Sequence, residues 1–384
     1  MKVAVLGYGT VGAGVYSMLS DAPGMEAGPV LVRPGKAVES FMVSDAALIF
    51  GDPTVDAVVE TLGGLDPAYS YGMRALEAGK HFITANKAMV ASHGLELAAL
   101  AREKGAAFLF SAACGGGVPF LHNLALSAET DRIEAVSGIL NGTTNYMLDA
   151  MQRRSLSYGD ALREAQSLGY AESDPTADVS GLDALRKMQL ACAVAFGVLP
   201  QSGMLCEGME HFTAADVEDI QNRGLVCRLM ARGSRAGESV SAYVEPVLFP
   251  RAAPESSVFT NNNMARYTGK RCGSIVLMGQ GAGRFPTASA VLRDLSAAQQ
   301  GTRSMFPENC RAAEADNREA VHSYYIRTGG FAAVRLSLRS VLAQGEVVHA
   351  VTEPMSAEKM HALAQNIRKD GNDLFFAALE EELC

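Results

Sequence analysis

The chain has 384 residues, of which 48% are hydrophobic and 20% are charged. This composition excludes an intrinsically disordered protein, and the length favours two or three domains. With 33 Lys plus Arg against 42 Asp plus Glu, the formal net charge is −9. That charge argues against nucleic acid or an anionic membrane as the main partner.

The sequence predicts neither export nor a membrane span. It begins directly with strand-like residues, and its longest stretch without Lys, Arg, Asp or Glu, residues 105–128, contains three consecutive glycines and a proline. The seven cysteines include no CxxC pair, which favours reduced thiols. We therefore expect a cytoplasmic protein.

The first 115 residues alternate between strand and helix patterns. Strands are predicted at 2–7, 29–33, 55–61, 81–84 and 107–112, and helices at 10–20, 66–79 and 86–105. Strands separated by helices imply right-handed crossovers, so the pattern predicts an α/β domain with a parallel sheet over residues 1–115.

After three consecutive glycines the pattern changes. Strands are predicted at 133–139, 241–248 and 274–278, and helices at 143–152, 158–168 and 179–196. This predicts an α+β domain over 116–283 with a mixed, largely antiparallel sheet, after which a helix within 284–300 returns to the first domain. Residues 301–320 are interpreted as a linker, and 321–384 as a small C-terminal appendage with a helix at 356–369.

A glycine-rich turn follows the first predicted strand. Gly7, Gly9 and Gly12 form a G-x-G-x-x-G pattern that opens a helix, with Thr10 and Val11 inside it. In this setting the glycines let a pyrophosphate approach the helix N-terminus, which predicts a Rossmann-type dinucleotide site. The alternative is an ordinary structural turn.

The end of the second strand bears on which dinucleotide binds. An NAD site favours an Asp or Glu there, whereas this chain has Arg33 and Lys36. The two cations favour NADP over NAD. The alternative is that Arg33 is simply a solvated side chain.

Three further segments carry polar groups that suit catalysis or ligand binding. Lys87 follows the predicted strand 81–84, at the end of the strand where α/β sheets bind ligands. Residues 141–143 form a strand-to-helix turn that either binds a carboxylate group or simply caps the helix. Asp183 and Lys187 are spaced i, i+4 in a helix that we expect to begin near Asp178. Such a pair is most often a solvated ion pair, but the apolar residues after it favour burial next to a polar ligand.

Long strings containing these residues closely resemble the homoserine dehydrogenase family. The resemblance covers about residues 1–300 and rests on GYGTVG, ETLGG, GKHFITANKA, GGGVP, GILNGTTNYML, GYAESDPTADVSGLDALRK and GQGAGRFPTASAVLRDL. It implies NAD(P)-dependent interconversion of L-homoserine and L-aspartate 4-semialdehyde in threonine, methionine and isoleucine biosynthesis. It also implies a homodimer or higher homo-oligomer that binds a small-molecule substrate.

The resemblance also implies roles for individual residues. Lys187 would transfer the proton at the reacting carbon, and Asp183 would bind substrate and orient that lysine. The remaining substrate contacts would be Glu172, Asp178, Lys87, Asn141, Gly142 and Thr143. The cofactor contacts would be Gly7, Gly9, Thr10, Val11, Gly12, Arg33, Lys36, Thr61, Gly63, Thr84, Lys87, Gly169, Glu172 and Gly283.

Two regions depart from the family pattern. The loop before the triple glycine has Ser111 where relatives usually carry Glu. In relatives this loop holds a monovalent cation, and the main-chain carbonyls of Cys114, Gly116 and Val118 match positions that bind it. The tail from Tyr324 faintly resembles a small ACT-type regulatory module without its Asp-x-Pro-Gly turn. We therefore interpret it as a degenerate module.

Two alternatives to this activity remain at this point. One is a catalytically silent, NADP-binding regulator on the same scaffold, and Ser111 is the feature that favours it. The other is an acylating semialdehyde dehydrogenase, for which Cys114 is the only candidate nucleophile by position.

Overall fold

The first of two main sheets is parallel throughout. A computed structural model describes residues 1–329, 337–345 and 347–380. The strands of this sheet are β1 (Lys2–Leu6), β2 (Glu26–Leu31), β3 (Met42–Val43), β4 (Ala57–Glu60), β5 (His81–Thr84) and β6 (Phe108–Leu109). Their order is β3-β2-β1-β4-β5-β6, so the strand order reverses between β1 and β4. Ligands bind at the carboxyl ends of the strands at such a point.

Helices cover this sheet, and two of them approach each other closely. They are α1 (Thr10–Leu19), α2 (Ala47–Phe50), α3 (Ala68–Glu77) and α4 (Lys87–Lys104). A later helix, α11 (Arg284–Gln299), packs against α1. A Cβ atom at Gly14 would lie 2.9 Å from the carbonyl oxygen of Arg284, so a glycine is needed where these two helices meet.

The second sheet is mixed and largely antiparallel. Its strands are β7 (Ile133–Ile139), β9 (Leu205–Cys206), β10 (Leu225–Ala236), β11 (Ser239–Pro250), β12 (Asn262–Gly269), β13 (Gly273–Gln280), β16 (Tyr324–Gly329), β17 (Leu338–Gln344), β18 (Val347–Thr352) and β20 (Leu374–Leu379). The order is β13-β12-β7-β10-β11-β20-β16-β18-β17, with β9 also paired to β11. The predicted fold class, a parallel N-terminal sheet followed by a mixed sheet, is confirmed.

The remaining elements pack around the second sheet. The helices are α5 (Phe120–Thr130), α6 (Gly142–Arg154), α7 (Tyr158–Ser167), α8 (Thr176–Val179), α9 (Leu182–Phe196), α10 (Ala214–Asn222) and α12 (Ala357–Lys369). The short strands β8 (Val198–Ser202) and β14 (Arg311–Glu314) pair with each other, as do β15 (Val321–His322) and β19 (Met355–Ser356). Single 3-10 turns lie at Ser111–Ala113 and Pro254–Ser257.

Three predicted elements differ from the structure. The helix predicted at 179–196 is interrupted at Gly181, whose φ of +83° ends α8 before α9 begins, so Asp178 and Asp183 lie on different helices. The strand predicted at 107–112 stops after Leu109 and becomes a 3-10 turn. The predicted linker at 301–320 contains β14, which pairs in parallel with β8.

The C-terminal segment continues the second sheet. β20 runs parallel to β11 through the pairs Val247–Ala378 and Leu248–Leu379, and all six residues of β20 are buried. β16, β18 and β17 extend the sheet beyond it in antiparallel order, and α12 packs against β20. The predicted appendage at 321–384 lies partly outside the described residues, and the domain boundaries remain predictions.

Two sequence expectations concern membranes and thiols. Within the described ranges, none of the helices combines the length and the apolar character that crossing a membrane requires. Six cysteines are free thiols, and the seventh, Cys384, lies outside the described residues.

A buried ion pair fastens the C-terminal segment to α10. The Nε atom of Arg327 lies 2.7 Å from an oxygen of Asp216, a carboxylate that is fully buried. Replacing Arg327 with Met should lower the free energy of unfolding by about 3–5 kcal/mol, because it leaves a buried charge without its cation. Urea denaturation followed by circular dichroism measures this loss.

The matched control is Arg318→Met. Arg318 pairs with Asp316 at 2.7 Å, but its side chain is 72% exposed, so the change should cost far less stability than the loss of the buried pair. Equal losses from the two variants would contradict the assigned role of the buried pair.

Candidate active site

The glycine turn between β1 and α1 leaves room for a ligand. Gly7 has a φ of +98°, and a Cβ atom at Gly12 would lie 2.1 Å from the Gly7 carbonyl oxygen, so both positions require glycine. Gly9, by contrast, has nothing within 4 Å of its own Cβ position. The hydroxyl of Thr61 donates to the carbonyls of Leu6 and Gly7 at 3.0 and 3.3 Å. Thr61 therefore braces the turn, and the open side at Gly9 lets an anion reach the first amides of α1.

Two cations follow β2 on the same edge of the sheet. Arg33 and Lys36 are both exposed, and the main-chain N–H of Lys36 donates to the Arg33 carbonyl at 3.0 Å across a turn. The carboxyl end of β2 lies beside that of β1, to which it is paired. These side chains are therefore free to meet a charged group near the glycine turn.

A buried carboxylate at the end of β4 organises the neighbouring loops. Glu60 accepts hydrogen bonds from the main-chain N–H groups of Leu62 and Gly63 at 2.6 and 3.1 Å, and the Thr84 hydroxyl donates to its other oxygen at 2.5 Å. Thr84 and Gly63 thus belong to one network at the carboxyl ends of β4 and β5. Glu60 was not among the predicted site residues, although a carboxylate that ends the apolar run 57–59 was the available signal.

Lys87 begins α4 directly after this network. Asn86 caps the helix by accepting from the Met89 N–H at 3.1 Å, and its side-chain amide donates to the Gly64 carbonyl at 2.6 Å. Lys87 Nζ lies 3.0 Å from Asp183 Oδ1 on α9. The Lys87 side chain therefore links the parallel-sheet domain to helix α9, which packs on the second sheet.

The pair of Asp183 and Lys187 forms the centre of the site. Their i, i+4 spacing on α9 brings Lys187 Nζ to 2.7 Å from Asp183 Oδ2, and both side chains are only 12% exposed. Lys187 also donates to the Leu140 carbonyl at 2.6 Å. The geometry is that of a buried, oriented ammonium group.

Electrostatics keep both members of this pair charged. Burial alone would raise the pKa of Asp183, but Lys187 and Lys87 outweigh it and hold the pKa well below its usual range. Burial alone would lower the pKa of Lys187, but the Asp183 carboxylate raises it above its ordinary value. Lys187 is therefore a protonated donor at neutral pH.

The turn from β7 to α6 supplies a second carboxylate and an amide. The side-chain amide nitrogen of Asn141 donates to Asp178 Oδ1 at 2.7 Å and to Asp183 Oδ2 at 2.9 Å. Burial raises the pKa of Asp178, with Asp183 adding to the effect, while Asn141 and Lys187 oppose it. Two carboxylates and the Lys187 ammonium thus converge on one place.

The remaining predicted substrate and cofactor residues differ in burial. Gly142 begins α6, and Thr143 is buried, with its hydroxyl donating to the Tyr170 carbonyl at 2.6 Å. Gly169, Glu172 and Gly283 are exposed. Within the described part of the chain, the ion pairs join Lys87, Asp183 and Lys187 and do not include Glu172.

The loop before the triple glycine is tied to α11. Ser111 donates its main-chain N–H to Asp294 Oδ2 at 2.8 Å and its hydroxyl to the other oxygen of that carboxylate. Burial raises the pKa of Asp294 to about 7. Burial also raises the pKa of the Cys114 thiol to about 12, so it is a poor nucleophile and the acylating alternative loses its candidate.

Family models match both halves of the chain. Residues 7–111 match the model described as homoserine dehydrogenase, NAD binding domain, and residues 119–296 match the model described as homoserine dehydrogenase. Together these ranges contain the glycine turn and the group of Lys87, Asn141, Asp178, Asp183 and Lys187, here called the Lys187 cluster.

Individual relatives and solved structures agree with the models. The chain is 37% identical over 319 residues to homoserine dehydrogenase from Synechocystis sp., covering 77% of this chain and 72% of that protein. It is 38% identical over 314 residues to the enzyme from Corynebacterium glutamicum, covering 76% and 70%. A solved homoserine dehydrogenase from Thiobacillus denitrificans superposes with a TM-score of 0.87 at 29% identity, covering 99% of this chain and 98% of that chain. These comparisons give no support to the silent-regulator alternative.

Proposed function

The chain belongs to the homoserine dehydrogenase family of NAD(P)-dependent oxidoreductases, and we propose that the Lys187 cluster is where it interconverts L-homoserine and L-aspartate 4-semialdehyde. One observation carries this assignment. A buried ammonium group is oriented by a carboxylate at the junction of α4 and α9, as a proton donor to a reacting oxygen must be.

Lys187 is the proposed proton-transfer group. In the reducing direction its ammonium donates a proton to the aldehyde oxygen, and in the oxidising direction its neutral amine accepts the hydroxyl proton. The nicotinamide cofactor, when bound, supplies or accepts the hydride at that carbon. The raised pKa of Lys187 favours the protonated form and so suits reduction at neutral pH.

Acidic residues are the proposed partners of the substrate ammonium group. Asp178 uses one oxygen to accept from Asn141, which leaves its other oxygen for a second donor. Glu172 precedes it on an exposed loop. The first amides of α6, at Gly142 and Thr143, are the proposed partners of the substrate carboxylate.

The proposed cofactor is NADP. Gly9 keeps the side of the turn open, as a pyrophosphate requires, and Arg33 with Lys36 offers two exposed cations for a 2′-phosphate. Replacing Arg33 with Ala should weaken NADP binding about tenfold or more and leave NAD binding nearly unchanged, because only NADP loses a charge-assisted hydrogen bond. Fluorescence titration with NADPH and NADH measures both affinities.

Arg102 provides the control for this variant. It is exposed in the last turn of α4, where it faces no proposed cofactor contact. Arg102→Ala should leave both affinities unchanged. A similar loss for NADPH and NADH in Arg33→Ala would identify Arg33 as a structural residue.

A monovalent cation is proposed at the main-chain carbonyls of Cys114, Gly116 and Val118. The Ser111 hydroxyl already donates to Asp294, so the loop offers a cation neutral carbonyl oxygens, which suit Na⁺ or K⁺. The Val118 carbonyl also accepts from the Phe120 N–H at 2.8 Å. Comparing activity in sodium, potassium and choline chloride tests the site.

The remaining proposals concern the cellular role. We place the reaction in the biosynthesis of threonine, methionine and isoleucine, in the cytoplasm, carried out by a homodimer or higher homo-oligomer. The sequence resemblance supports these proposals. Gel filtration with light scattering tests the assembly.

The proposed function is tested by following formation of reduced cofactor from L-homoserine with NADP⁺ and with NAD⁺. L-2-aminobutyrate, which lacks the hydroxyl group, serves as a control that should give no reduction. Likewise, 4-hydroxybutyrate lacks the ammonium group and should react poorly if Asp178 binds it. Cofactor binding without any turnover of L-homoserine would support the silent regulator instead.

A further inference from the structure

The carboxamide of Asn141 is fully occupied by groups of the protein. Its two N–H bonds go to Asp178 and Asp183, and its oxygen accepts from the main-chain N–H of Thr144 at 2.8 Å and from the Thr144 hydroxyl at 3.0 Å. A primary carboxamide has two donors and one oxygen with two lone pairs. The residue is 4% exposed, so its side chain has no group left for a substrate.

The helix cap fixes which end of the carboxamide faces the carboxylates. Asn141 is the N-cap of α6, and its oxygen accepts from the Thr144 N–H at the start of that helix. A flipped carboxamide would lose this bond and would turn its oxygen toward two carboxylate oxygens. The nitrogen must therefore point to Asp178 and Asp183.

The two lysines pair directly with Asp183 and not with Asp178. Lys187 and Lys87 lie 2.7 and 3.0 Å from the oxygens of Asp183. Asp178 is half-buried next to the negative charge of Asp183, and its strongest donor is the amide of Asn141, with the Thr143 hydroxyl a weaker one. Burial and Asp183 raise the pKa of Asp178, whereas the Asn141 amide is the strongest influence that lowers it, ahead of Lys187.

Building on the proposed function, we infer that Asn141 is a positioning residue that holds the two neighbouring carboxylates ionised and separately directed. Asp183 is directed to Lys187, and Asp178 keeps an oxygen for the substrate ammonium group. Asn141 acts through these two side chains and does not touch substrate itself.

Two variants separate this role from helix capping. Serine and aspartate both cap helices well, so Asn141→Ser and Asn141→Asp should keep α6 intact. Serine lacks the two N–H donors, and aspartate replaces them with a third carboxylate. As a control, Ser157→Ala removes the exposed cap of α7, where the Ser157 hydroxyl oxygen accepts from the Asp160 N–H at 3.1 Å.

In Asn141→Ser, the KM for L-homoserine should rise about tenfold, the scale of a lost hydrogen bond to a charged group, with the KM for the cofactor unchanged. The acid limb of kcat/KM should move to higher pH, because a more readily protonated Asp178 loses its charge sooner as pH falls. The shift should be larger in Asn141→Asp. Ser157→Ala should lower thermal stability alone and leave the pH profile unchanged.

A uniform fall in kcat/KM at every pH, with the acid limb unmoved, would overturn the inference. So would a cofactor KM that rises as much as the homoserine KM.

A measurement without turnover separates this inference from the proposed function. In protein labelled with ¹³C at the aspartate carboxyl carbons, NMR titration reports Asp178, assigned through the Asp178→Asn variant. The resonance should titrate at higher pH in Asn141→Ser than in the parent. An unchanged titration would overturn the inference even if the parent oxidises L-homoserine, and a shifted titration would support it even if the parent does not.

Discussion

Replacing Lys187 with Ala is expected to lower kcat for L-homoserine oxidation by about 10²–10⁴-fold, the usual contribution of general acid–base catalysis. The variant removes the ammonium group that lies 2.7 Å from Asp183 and 2.6 Å from the Leu140 carbonyl oxygen. Cofactor affinity should change little, since the glycine turn after β1 is a separate structure. Steady-state kinetics in both directions, together with NADPH titration, measure these effects.

Arg186 provides a matched control on the same helix. It is exposed next to Lys187 and carries the same charge, so Arg186→Ala should retain parental kcat. Near-normal turnover in Lys187→Ala would remove Lys187 from the reaction. A comparable loss in both variants would indicate a general effect of charge on α9.

The parallel sheet was predictable because its signals are local. Apolar runs such as Val3–Leu6 are buried on both faces, and each is followed by a turn that ends it. Gly7 and Gly12 are needed for the turn itself, so their spacing was visible in the sequence. Right-handed crossovers then predicted a parallel sheet, whose strands bind ligands at their carboxyl ends.

The second sheet was harder to predict because it buries charged residues. β10 has Arg228 at 2% exposure, where its guanidinium donates to the carbonyls of Glu255 and Ser256 at 3.1 Å each. Arg232, on the same strand, pairs with Glu380 at 2.6 Å. Arginines within a strand interrupt the apolar pattern from which a strand is predicted. The groups that pair with them lie far away in the sequence, so their burial cannot be predicted locally.

The candidate site shows the same division between local and distant contacts. The pair of Asp183 and Lys187 was predictable from i, i+4 spacing, whereas the contact of Lys87 with Asp183 depends on how α4 packs against α9. Asn141 was predicted either to bind substrate or to cap a helix, whereas its role as donor to two carboxylates emerges only once α6, α8 and α9 are assembled.

The second large effect is expected from Asp183→Asn, which should lower kcat/KM about 10²-fold or more, because Lys187 loses the group that orients it. The change is nearly isosteric, so the fold should be retained. The pH profile should shift as well. Asp183 raises the pKa of Lys187 against the opposing effect of burial, so without this carboxylate the pKa falls.

Both pH limbs that report the Lys187 pKa should shift in the same direction, to lower pH. Reduction of the semialdehyde needs the ammonium form, so its decline with rising pH should begin at lower pH in the variant. Oxidation of L-homoserine needs the neutral amine, so its rise with pH should also begin at lower pH. Asp160→Asn, a change of an exposed carboxylate on α7, should leave both limbs unmoved. If Asp183→Asn lowers kcat/KM without moving either limb, the carboxylate acts on substrate binding and not on the proton of Lys187.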